Sequence, residues 1–62
     1  MIYYNMTNKE LLNAYNASAE YDESMCSEIC TRVGMHEDYY MADGENIDRV
    51  MEEAVEQLRA SC

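Results

Sequence analysis

The stretch DGENIDRVMEEAVEQLRA, Asp43 to Ala60, decides the fold. Within it Ile47, Val50, Met51, Ala54, Val55 and Leu58 recur at steps of three and four, the spacing of one helix stripe and not of a strand face. Asp43 stands at an N-cap position, with Ala42 and Ile47 placed as a hydrophobic staple. Glu45 and Asp48 fall at the positive end of the helix dipole and Arg59 at the negative end. The spacing predicts a helix over residues 44–60.

Upstream, the chain has no proline, and Gly34 and Gly44 are its only glycines. They bound a Tyr-rich connector, residues 34–43. Tyr39-Tyr40-Met41 and Ile2-Tyr3-Tyr4 have strand-like composition. In a chain otherwise helical, a short helical turn or ordered loop is the better expectation for the connector. Before it, Thr7 and Glu10 form a capping-box pair, with Met6 placed to staple onto Leu11. Leu11, Ala14, Tyr15, Ser18, Ala19, Tyr21, Met25, Ile29 and Val33 then follow at helical spacing. Gly34 marks the end, in the left-handed position, with Arg32 near the negative end of the dipole. One helix over 7–33 is expected. Its weak point is Tyr21-Asp22-Glu23-Ser24, where Asp22 is able to cap a second helix. Residues 1–6 are an N-terminal extension. The fold class is all-α: an antiparallel hairpin of a long and a shorter helix, with Val50, Ala54 and Leu58 facing Leu11, Leu12, Tyr15 and Ile29.

At 62 residues the chain allows one domain, and it has neither Phe nor Trp to fill a core. A hairpin this small cannot bury both stripes, so self-association, as a homodimer, is expected. There is no basic, apolar leader and no run of about 20 apolar residues, so a cytoplasmic protein is expected. On that basis the sequons at Asn5 and Asn16 carry no meaning.

The net charge is -9, from 13 acids against four bases. Such a charge argues against direct binding to nucleic acid or anionic membrane and favours a basic partner. Glu45, Asp48, Glu52 and Glu56 share one side of the last helix, widened by Glu53. Glu20, Asp22, Glu23 and Glu28 form a second cluster. Solubility alone asks for a net charge of roughly 2–8 in a small domain, and this chain exceeds it. A row of carboxylates on a rigid helix suits a basic groove built for nucleic acid. A solvated face is the plainer use of the same residues.

In size, acidity, cysteine content and lack of catalytic motifs, the chain resembles small acidic phage and mobile-element proteins that block host defence nucleases, anti-CRISPR proteins among them. The resemblance rests on those general features over the whole chain and carries no residue assignments. It implies a non-catalytic inhibitor that occupies the basic, nucleic-acid-binding surface of a host or defence protein.

Cys26 and Cys30 lie one helical turn apart; with His36 and Cys62 they make a possible Cys₃His set for Zn²⁺. Buried cysteine also packs as a small hydrophobe, and Cys26, Ile29 and Cys30 continue the apolar stripe, so core packing is expected and no cofactor is required. Asp43-Gly44-Glu45 fails as a calcium loop, because the required ligand positions fall on Tyr39, Met41 and Val50. His36 lies beside Glu37 and Asp38, the setting of a solvated histidine rather than a general base. No nucleophile triad, phosphate loop or H-E-x-x-H pattern is present. Tyr39 and Tyr40, beside acids, are candidate contact residues. The expected function is therefore a non-enzymatic acidic inhibitor acting as a nucleic-acid mimic, with residues Glu45, Asp48, Glu52, Glu56, Glu20, Glu23, Tyr39 and Tyr40 at the interface. A zinc-stabilised regulatory module and an acidic antitoxin or assembly partner are the alternatives.

Overall fold

Local signals set most of the helix ends. The computed structural model describes residues 3–20 and 22–61. Thr7 Oγ1 accepts from the Glu10 amide at 3.1 Å, and Glu10 Oε1 accepts from the Thr7 amide at 2.8 Å. This reciprocal pair starts α1, Asn8–Ala17. The second helix, α2, runs Glu23–Arg32 and ends in a Schellman motif. There the Met35 amide donates to the Cys30 carbonyl at 2.8 Å and the Gly34 amide to the Thr31 carbonyl at 3.3 Å. Gly34 has φ +73°, the left-handed conformation that disfavours a side chain. A third helix, α3, covers His36–Met41, and α4 covers Gly44–Ala60 as the stripe foretold.

The all-α expectation is met, and no strand occurs among the described residues. The single helix over 7–33 is corrected: the chain leaves helical geometry at Ser18 and re-enters after Asp22. Asp22 explains the break. As an N-cap its Oδ1 accepts the Met25 amide at 3.2 Å, and its Oδ2 accepts the Tyr3 hydroxyl at 2.6 Å. Inside a continuous helix it would cap nothing, and Glu20 and Glu23 would stand three apart on one face, adding repulsion. Tyr21, one of the expected apolar positions, lies outside the described residues, as do Met1, Ile2 and Cys62. The short helical turn expected in the connector is α3, which fills most of it.

With the long helix broken, the architecture is a four-helix globule rather than a two-helix hairpin. Helix α4 packs against each of the other three, and α2 packs against α1 and α3. The core is built from Tyr3, Leu11, Leu12, Met25, Cys26, Ile29, Cys30, Met35, Met51, Ala54, Val55 and Leu58. Ala54 and Leu58 lie in it as expected, with Val50 and Tyr15 packed at its edge. Leu11, Met25, Ile29, Met51, Ala54, Val55 and Leu58 of the two stripes are buried within one chain, and Ala14, Tyr15, Val33, Ile47 and Val50 are partly buried. Burying a Leu or Ile side chain contributes about 1.5–3 kcal/mol, so the few large residues here carry most of the hydrophobic stabilisation.

Arg32 ties the opening segment to this core. It donates to Glu28 at 2.8 Å, to Asn8 Oδ1 at 2.9 Å and to the Tyr3 carbonyl at 3.0 Å. Together with the Tyr3–Asp22 hydrogen bond, this clasps residues 3–4 onto α1 and α2. No helix among the described residues is long and apolar enough to cross a membrane.

Candidate functional site

Burial of the stripe on α4 forces the helix's other side outward. Glu45, Asp48, Glu52, Glu53 and Glu56 are all exposed. Asp48, Glu52 and Glu56 line a shallow groove of about 390 Å³ between α1 and α4, which also contains Tyr15, Val55 and Arg59. Successive acidic positions in it are one helical turn apart, about 5–6 Å between Cβ atoms. Glu45 belongs to the same side but stands beyond the groove.

A second groove, of about 380 Å³, continues toward the α1–α2 junction. Glu20, Asp22 and Asp48 line it, with Tyr15, Met25 and Cys26. Tyr15 and Asp48 belong to both grooves. The two acidic clusters, separate in sequence, therefore meet at Tyr15 and Asp48. Glu23, expected at the interface, is exposed at the start of α2 but lines neither groove.

Among the tyrosines only Tyr39 and Tyr40 are expected contact residues, while Tyr15 belongs to the expected apolar stripe. Burial, with Cys26, Asp48 and Cys30 nearby, raises its hydroxyl pKa, so the ring presents a neutral phenol between carboxylates. Its position one residue beyond Ala14 on the expected stripe was the only signal. Asp22 is held below its usual carboxylate value by the Tyr3 hydroxyl and then by the Met25 amide. The charge at the junction is therefore fixed by hydrogen bonds within the fold.

The two connector tyrosines separate. Tyr39 packs against the core, whereas Tyr40 is 78% exposed and Met41 74%. Both lie on α3, away from the grooves' lining.

Cys26 and Cys30 are free thiols in the core. Burial raises both pKa values, that of Cys30 to about 11. His36 is exposed at the start of α3, and Cys62 lies outside the described residues. Among the described residues, no three His, Cys, Asp or Glu side chains gather as a metal site.

Compared with known proteins, the chain matches no family model, no curated protein and no solved structure.

Proposed function

We propose that the chain is a non-catalytic interaction protein whose α4 row, Glu45, Asp48, Glu52 and Glu56, seats on a basic protein surface that ordinarily holds a nucleic-acid backbone, and so blocks it. The observation that carries this reading is the shared groove of Asp48, Glu52 and Glu56 with Tyr15 and Val55. Rigid carboxylates flank an aromatic and an aliphatic surface there, the combination that an arginine or lysine side chain fits through its charge and its stem.

The few cations reinforce it. Of the four Lys and Arg, Arg32 is turned inward onto Glu28 and Asn8. That leaves Lys9, Arg49 and Arg59 as exposed bases against the acidic surface. Such a field acts over a Debye length of about 8 Å at physiological salt, speeding encounter as well as holding the complex.

Capture from lysate of the producing cell identifies the partner, and displacement of a labelled oligonucleotide from that partner tests the reading. Glu52→Gln/Glu56→Gln should displace far less oligonucleotide than the parent. Glu37→Gln/Asp38→Asn removes the same charge from exposed positions on α3, outside the groove, and should displace nearly as well as the parent. Equal loss in the two pairs would show that net charge acts rather than this face.

A further inference from the structure

The groove at the α1–α2 junction has a soft floor and a hard rim. Its buried lining is Met25, Cys26 and Met51; its acids are Glu20, Asp22 and Asp48. Behind the floor, the Cys30 thiol donates to Met51 Sδ at 3.5 Å, bridging α2 and α4. Cys26 precedes Cys30 by one turn on the same face of α2. Two sulfurs 3.5 Å apart, each about 2.3 Å from a shared metal, subtend about 100° at it, near the tetrahedral angle. The Cys30–Met51 spacing therefore matches that of two ligands on one ion.

The donor types select the ion. Structural Zn²⁺ takes four Cys or His ligands, and the described residues do not gather such a set. Thiolate with thioether suits Cu(I), while hard Mg²⁺ and Ca²⁺ prefer oxygen. The geometry points to a binding site for Cu(I) held by Cys26, Cys30 and Met51, with the acidic rim of Glu20, Asp22 and Asp48 drawing the cation in. On binding, two S–H bonds are replaced by two S–Cu bonds and two protons pass to water. Met51 coordinates through its neutral sulfur, and copper stays in the Cu(I) state, so no electron is transferred. Without the ion both thiols lie buried in the core. They then pack as small hydrophobes, and proton release reports loading. Glu52 and Glu56 take no part, so this site stands or falls separately from the docking face.

Anaerobic titration with Cu(I), supplied as its acetonitrile complex in competition with a chromophoric chelator, tests the assignment on the full chain and on Cys62→Ser. Both should take up one tightly bound ion per chain, release two protons and melt at a higher temperature, because binding to the folded state stabilises it. In the Cys62→Ser background, Met51→Leu keeps the side-chain volume but removes the thioether. Its affinity should fall at least about ten-fold, the lower end of the loss typical even when outer-shell partners are removed. Three results overturn the site: loss of the tight ion in Cys62→Ser, unchanged affinity in Met51→Leu, or a melting temperature that falls on loading. The last would mean that the metal captures thiols of the unfolded chain.

Discussion

Asp22 and Asp43 occupy the same position, at the starts of α2 and α4, and the fold uses them differently. The Asp22 carboxylate receives both the Met25 amide and the Tyr3 hydroxyl. The Asp43 side chain makes no capping hydrogen bond; only its carbonyl serves, accepting the Asn46 and Ile47 amides at 2.6 and 3.1 Å. Length and patterning account for the contrast. Helix α2 has 10 residues and α4 has 17, and isolated helices shorter than about 12–15 residues are marginal in water. The short helix needs a cap and a long-range clasp. The long one is held along its stripe, which leaves its outward acids without a structural duty.

The sharpest way to break this comparison is Leu58→Ala. Leu58 is 1% exposed, and its truncation should cost about 2–5 kcal/mol. That is comparable to the roughly 3–5 kcal/mol available to a chain of this size. Thermal melts followed by circular dichroism should show a chain largely unfolded at 25 °C. A cooperative melt near the parent's temperature would mean that α4 is not held by its stripe.

Next in size is Gly34→Ala, at the other end of α2. A Cβ there meets nothing within 4 Å, so crowding is not the issue. The obstacle is the φ of +73°, where an L-residue costs about 1–2 kcal/mol. Urea unfolding should show a loss of that size with an unchanged m-value. No loss would mean that the Schellman turn does not fix the end of α2.

The caps themselves come third. Asp22→Ala should lower the melting temperature clearly, Tyr3→Phe should reproduce part of that loss, and Asp43→Ala should leave the melt close to the parent's. Equal effects of Asp22→Ala and Asp43→Ala would erase the distinction between the two junctions.

The same contrast has a pH signature. Hydrogen bonds in the fold lower the Asp22 pKa from its ordinary 3.8. Its contribution is therefore present above about pH 4 and is lost as pH falls through the lowered value. Tyr3→Phe should flatten that acid limb. On the alkaline side, the Cys30 thiol is raised from 9.0 to about 11. Its contribution is complete below pH 9 and is lost between there and about 11, as the unfolded chain ionises first. Melts in reducing buffer at pH 7 and pH 10.5 should differ less in Cys30→Ala than in the parent.

What could be read from the sequence was local. The Thr7–Glu10 box, the left-handed Gly34 and the 44–60 helix each depend on residues within a turn or two. The break after Ala17 was half legible: Asp22 marked the weak point as a cap for a second helix, but its hydrogen bond from Tyr3, nineteen residues away along the chain, was not foreseen. The apolar spacing through Ala19 and Met25 fits a continuous helix equally well. Tyr3 read as part of an extension, yet it is 8% exposed and belongs to the core. The acidic row on α4 was legible from spacing alone. Its meeting with Glu20 and Asp22 at Tyr15 was not, because α1 had first to fold back against α4.

The smallest expected effect on stability is the most informative about function. Glu52→Gln/Glu56→Gln keeps helix propensity and relieves repulsion along α4, so its melt should match or slightly exceed the parent's. The direct test is the affinity of parent and double variant for the captured basic partner, measured across a salt series. A wide gap at low salt that closes as salt rises is the predicted result. Equal affinity of the two proteins at low salt would contradict the docking role of this face.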